Sequence, residues 1–282
     1  AVGMNVTIVG LGLMGGSAAI DLKKRGFAEQ IIGVDKNKVN AHIAQHIGLV
    51  DAVSDLETAI KVSDIVILAI PVSSALEVLP RVLDVIKHQT VLDFCSTKKD
   101  LLKSIKHHKN RKQYVASHPM AGTEFSGPWA AKTGLFDGKA SILCNTEESD
   151  MKSVEHVKKV YDALHMRTIE MDAESHDIHA AYVSHISHIS SFALALTVLE
   201  KEKNEKHIFD LASGGFDSTV RLAKSSAEMW TPIFMHNQEN VLEVIDTYME
   251  KMQSFRDSIA EGNDTAINNM IQESNRIKRI VK

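Results

Sequence analysis

A short β-branched run near the amino terminus leads directly into three glycines with fixed spacing. The run is Asn5–Val9, and the sequence after it, GLGLMG, matches G-x-G-x-x-G before a predicted helix over 13–25. The first glycine of such a motif permits a tight turn, the second lets backbone approach a pyrophosphate, and the third lets the helix pack closely on the strand. The motif predicts a dinucleotide site, and a glycine-rich turn that binds nothing is the alternative. The candidate cofactor-binding residues here are Gly10, Gly12, Leu13, Met14 and Gly15.

An acidic residue follows the second predicted strand. The strand covers 31–34, and Asp35 ends it twenty residues after Gly15. A carboxylate at this point of a βαβ unit accepts hydrogen bonds from a ribose, and its charge repels the 2′-phosphate of NADP. Lys36 and Lys38 oppose that preference. We therefore expect NAD as the cofactor, with NADP less favoured.

Short apolar runs alternate with amphipathic segments through the first 170 residues. This alternation predicts a doubly wound, Rossmann-type parallel sheet with helices on both faces. The carboxyl ends of parallel strands line the ligand crevice, so Ile70, Pro71 and Val72 are expected beside the cofactor, although Pro71 could merely end its strand. The further strands are predicted over 64–70, 90–94, 113–117, 141–144 and 167–170.

The pattern changes after about Met171, where the sequence predicts long helices interrupted at Gly214-Gly215 and Gly262-Asn263. We therefore expect two domains: a dinucleotide-binding domain over 1–170 and an all-helical domain over 171–282 for substrate binding and dimerisation. Val183–Leu199 is apolar around most of its circumference, which predicts a helix that is central in a bundle or packs against another subunit.

Composition excludes several classes of protein. The 32 Lys and Arg residues are outnumbered by 36 Asp and Glu residues, which is atypical of a nucleic-acid-binding protein. Two cysteines cannot form a disulfide framework, so a reducing, cytoplasmic environment is expected. The longest unbroken apolar runs, 65–70 and 192–199, are too short to cross a membrane. We expect no nucleic-acid or membrane partner.

Two polar residues follow neighbouring predicted strands at one edge of the sheet. Ser96 lies just past 90–94, and His118 lies just past 113–117 and opens a long segment before Ser141. Segments of that length in a compact domain are usually functional or disordered. The unperturbed pKa of an imidazole lies near working pH, so His118 beside a nicotinamide is a candidate proton acceptor. A loop histidine packed on Pro119 is the alternative.

Four histidines, His176, His179, His185 and His188, precede Arg221 in the helical part. On one regular helix, at ~100° per residue, they fall as two pairs on opposite faces, so one metal ion could not bind all four. We predict no metal, and expect one histidine to face the crevice while the others cap, pair or lie at the surface. Arg221 is either a residue that donates a bidentate hydrogen bond to a substrate carboxylate or a surface arginine.

Two local patterns surround Thr97. Thr97-x-x-Asp100 resembles a capping box, which predicts a helix that starts there. The Lys98–Lys112 run is rich in Lys and His and is expected to be a solvated helix face with its adjoining loop.

Essentially the whole chain from Met4 onward resembles the prephenate dehydrogenase family, whose members are also called arogenate or cyclohexadienyl dehydrogenases. The HPMAGTE stretch and the Ser-His-x-x-His pair are its most specific features. The resemblance implies oxidative decarboxylation of prephenate to 4-hydroxyphenylpyruvate in tyrosine biosynthesis, with NAD(P) as acceptor. The segments that carry the resemblance are Val9–Gly16, Asp93–Lys98, His118–Gly127, Val183–His188, Gly214–Phe216, Arg221 and Met229–Trp230.

The family resemblance also implies roles for individual residues. His118 matches the catalytic histidine, Ser96 the residue that orients substrate and nicotinamide, and Arg221 the residue that binds a substrate carboxylate. His176 matches a family position of less certain role. The other matching positions of the substrate pocket are Thr123, Glu124, His188 and Gly214.

This chain departs from the family at two positions. Ser218 stands where some members carry an acidic residue, and Ser187 stands where a proline is common. Both changes leave the geometry of the pocket, and its preference for prephenate or arogenate, open. The resemblance and the apolar helix together favour a homodimer through the helical domain.

Other functions remain open on the sequence. Arogenate dehydrogenase differs only in an amino group on the substrate side chain, and no residue here identifies it. A β-hydroxyacid dehydrogenase needs a catalytic lysine early in the helical domain, where the first lysines, Lys201, Lys203 and Lys206, lie in a charged stretch. A non-catalytic NAD(H) sensor needs no histidine in the crevice.

Overall fold

The protein is described by a computed structural model that covers residues 3–203 and 205–282. Within that part of the chain eight strands form one sheet, in the spatial order β3-β2-β1-β4-β5-β6-β7-β8. The strands are β1 Met4–Val9, β2 Ala28–Val34, β3 Ala52–Val53, β4 Ile65–Leu68, β5 Thr90–Asp93, β6 Tyr114–Pro119, β7 Ala140–Cys144 and β8 Arg167–Met171.

Six helices accompany the sheet and seven follow it in the described residues. The first six are α1 Leu13–Lys24, α2 Lys38–His46, α3 Leu56–Lys61, α4 Val72–Val85, α5 Lys99–Ser104 and α6 Met151–Ala163. The others are α7 Ala173–Ala180, α8 Ile186–Lys201, α9 Glu205–Leu211, α10 Gly214–Val220, α11 Ala227–Met235, α12 Gln238–Ala260 and α13 Asp264–Ser274.

Strand order places a ligand crevice at the centre of the sheet. β1 pairs in parallel with β2 on one side and β4 on the other, so the order reverses at β1. A crevice opens at such a switch point, outside the carboxyl ends of the strands. The predicted Rossmann-type, doubly wound sheet followed by helices is confirmed.

One strand departs from the expected parallel order. β7 runs antiparallel to β6, while β8 is again parallel to β7. Parallel neighbours need a long crossover, usually a helix, whereas antiparallel neighbours do not. The segment over 120–139 contains only a 3₁₀ turn, Pro128–Ala130, and returns the chain beside β6 in the opposite direction.

Both faces of the sheet are covered by apolar side chains. Ile65 and Ile67 of β4 join one core cluster with Leu22 of α1, while Val66 joins the opposite cluster with Leu79 of α4. All of β4 is buried, which explains why its sequence is an unbroken apolar run rather than an alternating one.

The segment after β5 differs from both sequence predictions. α5 starts at Lys99, and its amino end is bound by the carboxylate of Asp177 instead of a capping box from Thr97. Lys98 is 0% exposed and Arg111 is also buried, so the expectation of a solvated face is wrong at these two residues. Lys98 binds the Asp93 carboxylate and the Ser117 carbonyl, and Arg111 binds the Tyr114 carbonyl and the Ser149 hydroxyl, contacts that the composition of the run does not reveal.

A π turn interrupts the long helix after β8. α7, the π turn Ala181–His185 and α8 make one 29-residue helical run, Ala173–Lys201. Its most apolar 18-residue window has a mean hydropathy of 1.3 and is 11% buried, so length and composition alone would suit a membrane span. The unbroken apolar runs of the sequence do not indicate a helix of this length, because serines and histidines interrupt its apolar residues.

The apolar part of this helical run is not buried at the centre of the fold. Val183, Leu196 and Leu199 are each more than half exposed, and only Ser191 of α8 is buried. A position at the centre of a single-chain bundle is therefore wrong, which leaves the other expectation, packing against another subunit.

The described chain forms two compact units. The first ends at Asn237 and contains the sheet with α1 to α11. The second runs from Gln238 to Lys282, where α12 and α13 meet at Gly262, whose φ of +68° suits the predicted break between helices.

We predict that Gly15→Ala lowers the free energy of unfolding by about 1–3 kcal/mol, because the added methyl group overpacks a tight contact. A Cβ atom at Gly15 would lie 1.9 Å from the backbone oxygen of Gly10. Gly215→Ala, also in a helix but with nothing within 4 Å of its Cβ position, is the matched control and should be neutral or stabilising. Urea unfolding of both variants measures the difference, and equal losses would contradict the close-packing role of Gly15.

Candidate active site

The glycine turn between β1 and α1 is shaped to receive an anion. Gly10 has φ of +98°, and a Cβ atom there would lie 2.1 Å from the backbone oxygen of Ala69. A Cβ atom at Gly12 would instead meet nothing nearer than the Gly127 nitrogen at 3.8 Å. Within the described chain no side chain caps the first amides of α1, and its first turn carries no acidic residue. The turn therefore fits a dinucleotide pyrophosphate.

Asp35 lies directly after β2 at the edge of this turn. Its Oδ2 accepts a hydrogen bond from the Leu11 amide at 2.9 Å, and its Oδ1 accepts one from the Asn37 amide at 2.8 Å. A carboxylate has about four acceptor positions, so these bonds fix its orientation and leave capacity for ribose hydroxyls.

The other predicted cofactor residues surround the same turn. The methyl carbon Cγ2 of Ile70 would lie 2.8 Å from a Cβ at Gly10, which places the end of β4 against the turn. Pro71 is the N-cap of α4, and Val72, its first residue, is buried. Leu13 is buried in α1, while the sulfur of Met14 would lie 3.9 Å from a Cβ at Gly122. The segment after His118 thus packs over the start of α1.

A fully buried carboxylate joins the carboxyl ends of β5 and β6. Oδ1 of Asp93 accepts hydrogen bonds from the Tyr114 hydroxyl at 2.8 Å and the Ser117 amide at 3.1 Å. Its Oδ2 accepts from the Cys95 amide at 3.1 Å and from the ammonium group of Lys98. The same ammonium donates to the Ser117 carbonyl at 2.5 Å.

Ser96 and His118 are the residues immediately beyond these anchored amides. Ser96 follows Cys95 after β5, and His118 follows Ser117 near the end of β6. His118 is therefore in the strand, pairing with Ile142, and not in the loop as predicted. The Asp93–Lys98 pair fixes the backbone next to both candidate catalytic residues.

His118 begins a buried chain of hydrogen bonds into the helical part. Its Nδ1 lies 2.8 Å from Nε2 of His176, and Nδ1 of His176 lies 2.8 Å from Oδ1 of Asp177. Burial, with the charges of His176 and Lys98 as the next causes, lowers the pKa of His118 well below its ordinary value. His118 is therefore neutral at neutral pH.

The π turn explains which histidines reach this site. His176 and His185 are both buried, although a regular helix places them on opposite faces. A π turn holds about one extra residue and turns the following helix back by roughly 100°. The prediction of two opposed pairs is wrong for this reason.

His185 and His188 line the site beside an aromatic ring. His188 stacks on Trp230 with ring centroids 3.4 Å apart, and His185 meets Trp230 edge-on at 5.9 Å. Burial lowers the pKa of His185 to about 4 and also lowers that of His188. Asn237 Nδ2 lies 3.2 Å from Nδ1 of His185, while Nε2 of His185 is buried and has no partner among the described residues.

Arg221 and Glu124 connect the loop after β6 to the helical part. Arg221 donates a hydrogen bond to Oε1 of Glu124 at 3.1 Å, and the charge of Arg221 contributes to the lowered pKa of His188. The other two predicted pocket residues are not brought into this contact: Thr123 Oγ1 accepts from the Phe125 amide within the loop, and Gly214 starts α10 with nothing among the described residues within 4 Å of its Cβ position.

The described residues contain no group of three or more His, Cys, Asp or Glu side chains arranged for a metal ion. The candidate site contains instead several imidazoles and two buried carboxylates, Asp93 and Asp177.

Sequence reasoning missed several residues of this site. Asp93 was noted only as part of a family segment, Lys98 was also part of a run expected to be solvated, and Asp177, next to His176, was assigned no role. Trp230 was likewise only a matching position. A buried charge looks like a surface charge in sequence, so only the adjacent strand ends and the His-Asp pair offered a signal.

The chain matches two family models. Residues 18–170 match the prephenate dehydrogenase nucleotide-binding domain, and residues 172–273 match the prephenate dehydrogenase dimerization domain. The prephenate dehydrogenase of Lactococcus lactis is 30% identical over 98% of this chain and 77% of its own length. That of Bacillus subtilis is 31% identical over 89% and 69%.

A solved structure shows the same fold at similar identity. The crystal structure of prephenate dehydrogenase from A. aeolicus, in complex with hydroxyphenyl propionate and NAD+, is 31% identical and covers 99% of this chain and 98% of its own, with a TM-score of 0.87. From both domain models and these relatives, the chain belongs to the prephenate dehydrogenase family.

Proposed function

We propose that this dehydrogenase catalyses the NAD-dependent oxidative decarboxylation of prephenate to 4-hydroxyphenylpyruvate in tyrosine biosynthesis. The observation that supports the proposal most is the neutral imidazole of His118 at the end of β6, hydrogen-bonded to His176 of the helical part. The segment that follows His118 packs near Met14 of the dinucleotide turn and, through Glu124, binds the guanidinium of Arg221.

NAD is the proposed cofactor. The open Gly12 position and uncapped amides of α1 fit its pyrophosphate, and Asp35 is placed to accept from its adenosine ribose. The negative charge of Asp35 opposes a 2′-phosphate, which favours NAD over NADP. When bound, the nicotinamide accepts the hydride from the ring carbon that bears the substrate hydroxyl.

His118 is the proposed proton acceptor. As the hydride leaves that carbon with its bonding pair, the hydroxyl becomes a carbonyl and its proton passes to Nε2 of His118. The opposite ring carbon then loses carbon dioxide, whose bonding pair enters the ring, and the oxygen regains the proton as a phenol. Ser96, anchored on the neighbouring strand end, is proposed to orient the hydroxyl and nicotinamide.

Arg221 is proposed to bind a carboxylate of the substrate. It is about half exposed and pairs with Glu124 through one nitrogen, and the other N–H groups of its guanidinium can form a charge-assisted pair with the incoming anion. Thr123, Glu124, His188 and Gly214 are proposed to complete the pocket.

We also propose the predicted organisation: a nucleotide-binding domain over 1–170 and a helical domain over 171–282 that forms a homodimer. The family model over 172–273 describes a dimerization domain, and exposed apolar residues of α8 supply surface for it. Free Cys95 and Cys144 fit a cytoplasmic location, with no nucleic-acid or membrane partner proposed.

The direct test is an absorbance assay for NADH with purified protein, offering prephenate or arogenate with NAD or NADP. Prephenate with NAD should give the highest kcat/KM. His118→Asn should lower kcat by roughly 10²- to 10⁴-fold, the usual contribution of a general base, and leave NAD binding intact. Unchanged turnover would refute the role of His118, and a preference for arogenate would refute the proposed substrate.

The pH dependence of kcat/KM should follow the lowered pKa of His118. Only the neutral imidazole accepts a proton, so the rate falls as pH drops through this pKa, which lies well below 6.5. Initial rates at pH 6.5 should therefore match those at neutral pH. An acidic limb centred at or above pH 6.5 that His118→Asn removes would contradict this.

Arg221→Ala should raise KM for the substrate by roughly 10- to 100-fold, with a smaller effect on kcat, because a charge-assisted hydrogen bond to a carboxylate is lost. Lys224→Ala is the matched control, since Lys224 pairs with exposed Asp217 at 3.7 Å and should leave KM unchanged. Steady-state kinetics separate the two parameters, and a lowered kcat at normal KM would be inconsistent with carboxylate binding.

A further inference from the structure

We propose that Asp177, acting through His176, fixes His118 in the tautomer whose Nε2 is free to accept a proton. Both are positioning residues, since neither is assigned a contact with substrate or cofactor. The inference rests on the proposed function only in that Nε2 of His118 accepts the proton of the substrate. The tautomer itself is a property of the free protein.

Both carboxylate oxygens of Asp177 are hydrogen-bonded inside the fold. The residue is 1% exposed, its Oδ1 accepts from the Lys98 amide at 2.9 Å and lies 2.8 Å from Nδ1 of His176, and its Oδ2 accepts from the Lys99 amide at 3.0 Å. Asp177 thus has acceptor geometry at both oxygens, and an acceptor oxygen facing Nδ1 of His176 places the proton on that nitrogen.

The proton on Nδ1 of His176 determines where the proton of His118 lies. A neutral imidazole protonated on Nδ1 has its lone pair on Nε2, so Nε2 of His176 accepts. The hydrogen bond of 2.8 Å to His118 then requires the proton on Nδ1 of His118. Nε2 of His118 therefore keeps the lone pair that can accept a proton, on a side chain that retains 7% exposure.

The charged surroundings support the neutral form of His118. Lys98 donates its amide to Asp177, and its ammonium group is buried with Asp93. Burial lowers the pKa of His118, and the charges of His176, Lys98 and His185 lower it further.

Asp177 could instead serve only to cap α5. In that case its loss would lower stability and leave the tautomer of His118 unchanged. The two roles are therefore separable, because one changes a protonation pattern and the other only the free energy of unfolding.

The test substitutes Asp177→Asn. An amide can donate to Nδ1 of His176, which would move the His176 proton to Nε2 and make Nδ1 of His118 the acceptor. We expect ¹⁵N–¹H correlation spectra of histidine-labelled protein to show Nδ1–H of His118 in the unsubstituted protein and Nε2–H, or a mixture, in the variant. His118→Asn, which lacks the imidazole, identifies the signals that belong to His118.

The kcat of Asp177→Asn should fall by roughly 10²- to 10⁴-fold with KM little changed, as for the buried aspartate of Ser-His-Asp triads.

Asp172→Asn is the matched control. Asp172 caps α7 of the same helical run through the Ser175 amide, is exposed, and can keep that bond as an asparagine. The variant should leave the tautomer of His118 and the kcat unchanged.

Should Asp177→Asn fail to fold, a second variant tests the same inference. His176→Phe keeps Asp177 as the cap of α5 but removes the hydrogen bond to His118, and should show the same loss of kcat with NAD binding retained.

An Nε2–H tautomer of His118 in the unsubstituted protein would overturn the inference, as would an unchanged tautomer in Asp177→Asn. If the unsubstituted protein oxidises neither prephenate nor arogenate, the proposed function fails, while the spectra still decide whether Asp177 sets the tautomer.

Discussion

The geometry of the site depends on one carboxylate that has no access to solvent. Asp93 accepts four hydrogen bonds, and the ammonium group of Lys98 compensates its charge inside the fold. Burying an ion pair gains little stability by itself, but removing one partner leaves an unpaired charge at a cost of about 3–5 kcal/mol. The pair is therefore best understood as a constraint on position: it ties the end of β5, which leads to Ser96, to the end of β6, which presents His118.

A second buried carboxylate extends this constraint into the helical part. Asp177 binds the amides of Lys98 and Lys99 at the start of α5, and its neighbour His176 reaches His118. The sheet and the helix after it are thus joined at the site by directional hydrogen bonds and not only by apolar packing. Such bonds specify protonation as well as distance, which apolar contacts cannot do.

The sequence predicts the parts of this arrangement that local patterns encode. The glycine motif, the acidic residue after β2 and the buried run of β4 each have a physical signature within a few residues, and the sheet follows from them. The direction of β7, the burial of Lys98 and the cap of α5 have no such signature, because they depend on how strands and helices pack: Lys98 is enclosed between β5 and β6, and the cap of α5 comes from Asp177. The faces of His176 and His185 were predicted wrongly because nothing in the sequence signals a π turn.

The central claim is that Nε2 of His118 receives the proton of a ring hydroxyl held beside the nicotinamide. A crystal structure of the protein with NAD and 4-hydroxyphenylpropionate tests it most directly. We expect a hydroxyl oxygen about 2.6–3.2 Å from Nε2 of His118, with the carboxylate at Arg221. A hydroxyl bound elsewhere, with Nε2 of His118 facing protein or solvent, would contradict it.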